Sequence, residues 1–219
     1  MPVKGTTLTS YRPLMQGTNG MVVASHPSAA MAGLDVLRKG GNAIDAGVAV
    51  GMALNVVHVD DCSFLGVAPT VIYLADRKEV VTIDGLGVWP QAASVEYFQK
   101  NHGGKIPPGV LQSITPAAAD AWITALSKFG TMTFGQVATA AIDLAGNGFP
   151  MYRYLAGRFK TAFDQYNTHP STAEIYLPGG RAPKQGEMFY QKDLAATLSR
   201  LAEIEDSNKG QGREAALKA

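Results

Sequence analysis

The sequence predicts a single α/β unit of the α+β kind, dominated by helices. Three features carry that prediction: a strand, helix, corner, helix pattern over residues 22–50, a pair of β-branched runs within residues 71–83, and four amphipathic stripes between residues 116 and 205. At 219 residues with 46% hydrophobic content, the chain is long enough to bury a sizeable core.

The first pattern is the most fully specified. Val22 to Ala24 are β-prone, and Pro27 suits a first helical position, where its missing N–H costs nothing. Met31, Leu34 and Leu37 outline an apolar stripe on the helix that follows, and Arg38 and Lys39 complement the dipole in its last turn. Gly40 and Gly41 can adopt the backbone of a helix stop. Asn42 with Asp45 three residues on has the form of a capping box for a second helix. On that helix Ala43, Gly47 and Gly51 form a side-chain-poor face that invites close approach of a neighbouring backbone, beside a bulkier row of Ile44, Val48 and Met52.

Met1 to Gly20 reads as an extended lead-in whose later part pairs as a strand. Asp60-Asp-Cys-Ser63 breaks the second helix into a loop. Val71 to Ala75 and Val80 to Ile83 form a hairpin around the charged turn Asp76-Arg-Lys-Glu79, and Asp84-Gly-Leu-Gly-Val-Trp-Pro90 leaves it as a glycine-rich loop. Ser94 caps a short helix that Asn101-His-Gly-Gly104 ends, and Pro107-Pro-Gly109 forbids regular structure.

The four stripes follow. Trp122, Ala125, Leu126 and Phe129 precede Gly130, and Phe134, Val137, Ala141, Ile142, Leu144 and Ala145 precede Gly146-Asn-Gly148. Tyr152, Leu155, Phe159 and Phe163 outline a third helix, and Leu194, Leu198, Leu201 and Ile204 a fourth. No composition shift marks a domain boundary, so residues 1–205 are expected to form one unit and residues 206–219 a polar, frayed end.

Net charge is +1 with 17% charged residues and no basic block, which gives no reason to expect nucleic acid or an anionic membrane as partner. The single cysteine, Cys62, excludes an internal disulfide without fixing the compartment. The first twenty residues show no apolar core of a secretory signal, so a cytoplasmic and a bacterial periplasmic location both stay open.

The coupling of Ala24-Ser25-His26-Pro27 to Gly40-Gly41-Asn42-Ala43-Ile44-Asp45-Ala46 across one helix resembles the start of the γ-glutamyltranspeptidase family. Thr115-Pro116, Lys128-Phe-Gly130, Ala140 to Ala145 with Gly148-Phe149, Ile175 to Gly180, and Asp193 to Leu198 continue the resemblance in order, from about Gly20 to about Glu205. The resemblance implies an αββα sandwich of the N-terminal-nucleophile hydrolase type, of which this chain supplies the larger, helix-rich part. It also implies a precursor that cuts itself into two subunits. The nucleophile is then a threonine at the new N-terminus of the small subunit, whose free α-amine serves as base for its own hydroxyl. No catalytic residue, cofactor or metal is expected in this chain. Its expected partners are the small subunit and a small amide substrate, and further assembly of such heterodimers is left open.

The sequence departs from the family at two places. Glutamyl-transferring relatives carry an arginine after the second strand that grips the substrate α-carboxylate. Here Gly85-Leu-Gly-Val-Trp-Pro90 has none. The glycine-rich loop before the first strand is likewise replaced by Cys62-Ser-Phe-Leu-Gly66-Val-Ala. Leu86, Gly87, Val88 and Trp89 are therefore the candidate substrate-binding residues, pointing to an oxamate-type amidohydrolase or an acylase. A true γ-glutamyl enzyme and a non-catalytic binding protein of the same fold are the alternatives.

Other residue groupings have simpler readings. Arg77 sits in a charged turn and reads as solvated. His58, Asp60, Asp61 and Cys62 have ligand chemistry but no zinc spacing, and adjacent aspartates cannot both point inward from a regular element, so no metal is expected. Cys62 reads as a buried structural thiol, His26 as a helix-start residue rather than a partner of Ser25, and Gly40-Gly41 as a corner rather than an anion site. The Tyr152 to Lys160 segment divides into an apolar stripe and a solvated face rather than a nucleic-acid surface.

Overall fold

The computed structural model describes residues 15–219. Helix α1 (Pro27–Arg38) starts as the sequence predicts, with His26 as N-cap. Its Nδ1 accepts from the Ser28 N–H at 3.2 Å, which requires a neutral ring. Burial, and then nearby His58, lowers the His26 pKa and favours that form. Val22 to Ala24 precede it as extended chain without a ladder partner among the described residues. Most of the lead-in lies outside the described residues.

The buried side of α1 differs from the expected stripe. Ala29, Ala32, Gly33 and Val36 face inward, while Met31 is exposed. The reason is the close approach of α2 (Ala43–Val57): a Cβ on Gly33 would lie 2.6 Å from Val50 and 3.1 Å from the Ala46 carbonyl oxygen. Only small residues fit that contact. The corresponding expectation for α2 is corrected too, since Gly47 faces open space and Gly51 meets the Trp122 ring rather than a backbone.

Helix α2 is the central element and is buried on most sides, from Asp45 to Val57. Asn42 and Asp45 form the predicted capping box. Around α2 pack α1, α4 (Ala118–Phe129) and α5 (Phe134–Gly146). Thr133 caps α5 through a second capping box with Gln136.

Strands β1 (Thr70–Leu74) and β2 (Glu79–Ile83) pair antiparallel with Tyr73 opposite Val80. Ile72 is buried, whereas Val71, Tyr73 and Val80 are exposed. Helix α3 (Val95–His102) begins at Ser94, whose hydroxyl accepts from the Tyr97 N–H, and ends at left-handed Gly103.

Beyond α5, strands β3 (Phe149–Pro150) and β4 (Met188–Phe189) form a second, two-residue ladder. Between them lie α6 (Arg153–Thr161), α7 (Phe163–Tyr166) and α8 (Pro170–Tyr176). The ladder's Phe149 and Phe189 meet at 5.7 Å, and Phe159 packs on Phe189 at 5.6 Å and edge-on to Tyr166 at 5.0 Å. The predicted third helix is thus split at Ala162. Helix α8 and the short ladder have too few residues to leave a periodic signal in the sequence.

Helix α9 (Lys192–Asn208) lies along α5. The expected frayed end is instead folded: α9 continues past Glu205, and α10 (Arg213–Lys218) buries Ala216 and Leu217. Arg213 donates to the carbonyls of Leu126 at 2.9 Å and Met132 at 2.7 Å. Polar composition hid two apolar positions and one cap.

Candidate functional site

Leu86 to Trp89 lie in an open loop whose backbone is fastened on both sides. The Ala68 N–H donates to the Gly85 carbonyl at 2.8 Å, and the Thr115 N–H to the Val88 carbonyl at 2.9 Å. Gly85 and Gly87 both have positive φ, and a Cβ at either would lie 2.3 Å or less from a carbonyl oxygen. Neither position tolerates a side chain. Around them the loop displays apolar groups: Leu86 and Val88 are exposed, and Trp89 is 41% exposed with its ring edge-on to Phe98 at 5.8 Å. Arg77 is solvated in its turn, beside Asp76.

A cavity of about 1060 Å³ lies elsewhere, between the C-terminal end of α2, the following loop and the β4–α9 segment. Leu86 to Trp89 are not among its lining residues. Sequence reading missed this cavity, because its walls come from segments more than 100 residues apart. Gln191 fixes their relative position by donating to the Val56 carbonyl at 2.8 Å. Asn55, 6% exposed, lines the cavity, and its buried Nδ2 has no hydrogen-bond partner among the described residues. The cations on the rim are engaged. Arg181 makes a two-point contact with Glu187 at 2.9 and 3.0 Å, and Lys192 donates to the Gly146 carbonyl.

Cys62 and Ser63 contribute to the same wall. Burial, with Asp61 and Asp60 adjacent, pushes the Cys62 thiol up, which opposes formation of a thiolate nucleophile. Its half-buried place in the cavity wall is consistent with a structural thiol.

His58, Asp60 and Asp61 converge behind that wall. The Asp61 and Cys62 N–H groups donate to the His58 carbonyl at 3.2 and 2.9 Å, curling the chain into a turn. Arg158 on α6 donates from Nε to Asp60 Oδ2 at 3.1 Å, and the Tyr152 hydroxyl lies 3.2 Å from His58 Nδ1. Burial first, and Asp60 next, push the Tyr152 phenol up to about 12. Of the basic and aromatic residues in this stretch, Tyr152 and Arg158 are therefore tied to α2 and its loop, while Tyr154 is exposed.

Residues 29–211 match the family described as Gamma-glutamyltranspeptidase. The chain belongs to the γ-glutamyltranspeptidase family. Within the family it is 33% identical over 201 residues to the glutathione hydrolase proenzyme of Bacillus subtilis, covering 86% of this chain and 33% of that protein. It is 36% identical over 196 residues to the acylase ACY 1 proenzyme of a Pseudomonas strain, covering 85% of this chain and 35% of that protein. The crystal structure of Helicobacter pylori γ-glutamyltranspeptidase superposes with a TM-score of 0.81 at 33% identity, covering 88% of this chain and 56% of that one. The chain thus spans about a third of the length of these curated relatives. As a helix-rich α+β unit it has the fold of the corresponding part of these hydrolases.

Proposed function

We propose that this chain forms the large-subunit part of a self-processing amidohydrolase that cleaves, or transfers the acyl group of, a small amide whose carboxylate is not held by an arginine of the Gly85–Pro90 loop. The nucleophile is an N-terminal threonine on the small subunit cut from the same precursor. Its α-amine takes the hydroxyl proton, the oxygen attacks the amide carbonyl, the C–N bond breaks as that proton passes to the departing amine, and the acyl group of the resulting ester is then transferred to water or an acceptor amine, restoring the hydroxyl. The observation that carries the specificity reading is the loop itself, which offers Leu86, Val88 and Trp89 where a glutamyl α-carboxylate would need a guanidinium. A charge-assisted bond of that kind contributes about 1.5–3 kcal/mol. Its absence lowers affinity for glutamyl groups relative to apolar acyl groups, and likeness to an acylase proenzyme supports the same direction.

Likeness to glutathione hydrolase proenzymes favours a second reading, release of γ-glutamyl groups. The complete, assembled protein should be tested against γ-glutamyl anilides, oxamate and simple acyl amides, with mass analysis of the chains. The expected result is a second chain beginning with threonine and preferential turnover of non-glutamyl amides. Efficient glutamyl release would overturn the specificity reading, and absence of any processed chain would overturn the enzymatic one.

A further inference from the structure

We propose that His58, Asp60 and Asp61 form a binding site for a divalent transition-metal cation of the zinc class. These residues lack a zinc spacing in sequence, and adjacent aspartates diverge when they leave a regular element, but here they leave a turn closed on the His58 carbonyl instead. One nitrogen of His58 and one oxygen from each aspartate lie within 4.8 Å of one another.

The Asp60 carboxylate gives independent support. Its side chain is 1% exposed, and its two oxygens have different fates. Oδ2 accepts from Arg158, whereas Oδ1 is buried without a hydrogen-bond partner among the described residues. Oδ1 sits 3.2 Å from His58 Nδ1 but is not aligned to accept a hydrogen bond from it, and an ion on Nδ1 would displace the Tyr152 hydroxyl that lies 3.2 Å from the same atom. Two donor atoms held about 2.0–2.1 Å from a tetrahedral zinc are separated by roughly 3.3 Å, close to that spacing. An isolated buried carboxylate oxygen is costly, and a bound cation satisfies it.

The surroundings suit a cation. Two carboxylates face one guanidinium, so the cluster carries a net negative charge when His58 is neutral. The Tyr152 and Tyr154 phenols are both raised, first by burial and then in part by the negative charge of Asp60 and Asp61. Arg158 acts as the outer partner that orients Asp60, leaving Oδ1 for the ion. Asp61, with its side chain 54% exposed, is the arm that swings to complete the set, and water takes the remaining position. One imidazole with two carboxylates favours zinc, cobalt, nickel or manganese over calcium or magnesium, which prefer oxygen alone. Because Cys62 and Ser63 follow directly, an ion here would stiffen the cavity wall against α6.

The test is titration of the complete, processed protein, stripped with chelator, with Zn²⁺ by calorimetry and with Co²⁺ by its tetrahedral absorption. His58→Gln and Asp61→Asn are run beside it. Asp61 is exposed and outside the core, so its variant keeps the fold, as an unchanged melting temperature in chelator would verify. The expected result is one ion per chain, with affinity weakened about tenfold or more in each variant. Failure of the parent protein to bind Zn²⁺, or equal binding by the parent and both variants, would overturn the proposal.

Discussion

The carboxylate of Asp45 on α2 holds Thr131 at three points: the Thr131 N–H reaches Oδ1 at 3.0 Å and Oδ2 at 3.1 Å, and its hydroxyl donates to Oδ2 at 2.7 Å. The same carboxylate accepts from the Asn42 and Met132 N–H groups at 2.9 and 3.1 Å, while the Asn42 amide donates to the Phe129 carbonyl at 2.7 Å. Two segments 86 residues apart in the chain, Asn42 to Asp45 and Phe129 to Met132, are therefore halves of one joint. Gly130 belongs to it because a Cβ there would lie 2.6 Å from Asp45 Oδ1.

Replacing Asp45 with alanine strands four buried or half-buried donors. The expected loss is about 3–5 kcal/mol in denaturant unfolding. Asp45→Asn keeps one acceptor oxygen and should lose less. Equal losses would show that the charge, rather than the number of acceptors, sets the strength of the joint.

The two corner glycines should fail for different reasons. Gly40 has φ +90 with open space around it, so Gly40→Ala costs about 1–2 kcal/mol of backbone strain. A Cβ on Gly41 would lie 2.6 Å from Met132 Sδ and 2.7 Å from Val36 Cγ1, so Gly41→Ala overpacks by about 1–3 kcal/mol. Adding Met132→Ala should recover part of the Gly41 loss and none of the Gly40 loss, as read by melting of the two double variants.

Arg213→Ala should destabilise the protein by about 1.5–3 kcal/mol, because two carbonyls, of Leu126 and Met132, lose a charged donor. Truncation after Glu205 should cost more, since it also uncovers the surface that Ala216 and Leu217 bury. A truncated chain as stable as the parent would restore the expectation of an unstructured end.

The loop between Arg181 and Glu187 should loosen in acid. The Arg181 guanidinium, then the Lys184 N–H, hold the Glu187 carboxyl below its ordinary 4.5. A depressed folded value means that its stabilisation is complete above 4.5 and is lost as pH falls through the lower folded value. Protection of the Lys184 amide, the intrinsic exchange rate relative to the observed one at each pH, should fall over that range, and Arg181→Ala should return the Glu187 titration, followed by NMR, toward 4.5.

Much of the local structure was legible. His26-Pro27, Asn42 with Asp45, and Ser94 all place helix starts through short-range hydrogen bonds that a sequence records directly. The hairpin was found within one residue at its boundaries, because β-branched runs around a charged turn have few other uses. The faces were harder to read. Met31 fits a helical stripe as well as Ala32 does, and only the proximity of α2 favours the smaller residue.

By itself the sequence determined the family, the order of the principal helices, the hairpin and the absence of an arginine between Gly85 and Pro90, all properties of neighbouring residues or of motifs in fixed order. Tertiary structure alone decided that Asp45 binds Thr131, that Asn55 and Gln191 wall one cavity, that Arg213 caps α4, and that His58, Asp60 and Asp61 converge. Each of these depends on side-chain positions set by packing between distant segments or by the path of an irregular turn, which no local periodicity encodes.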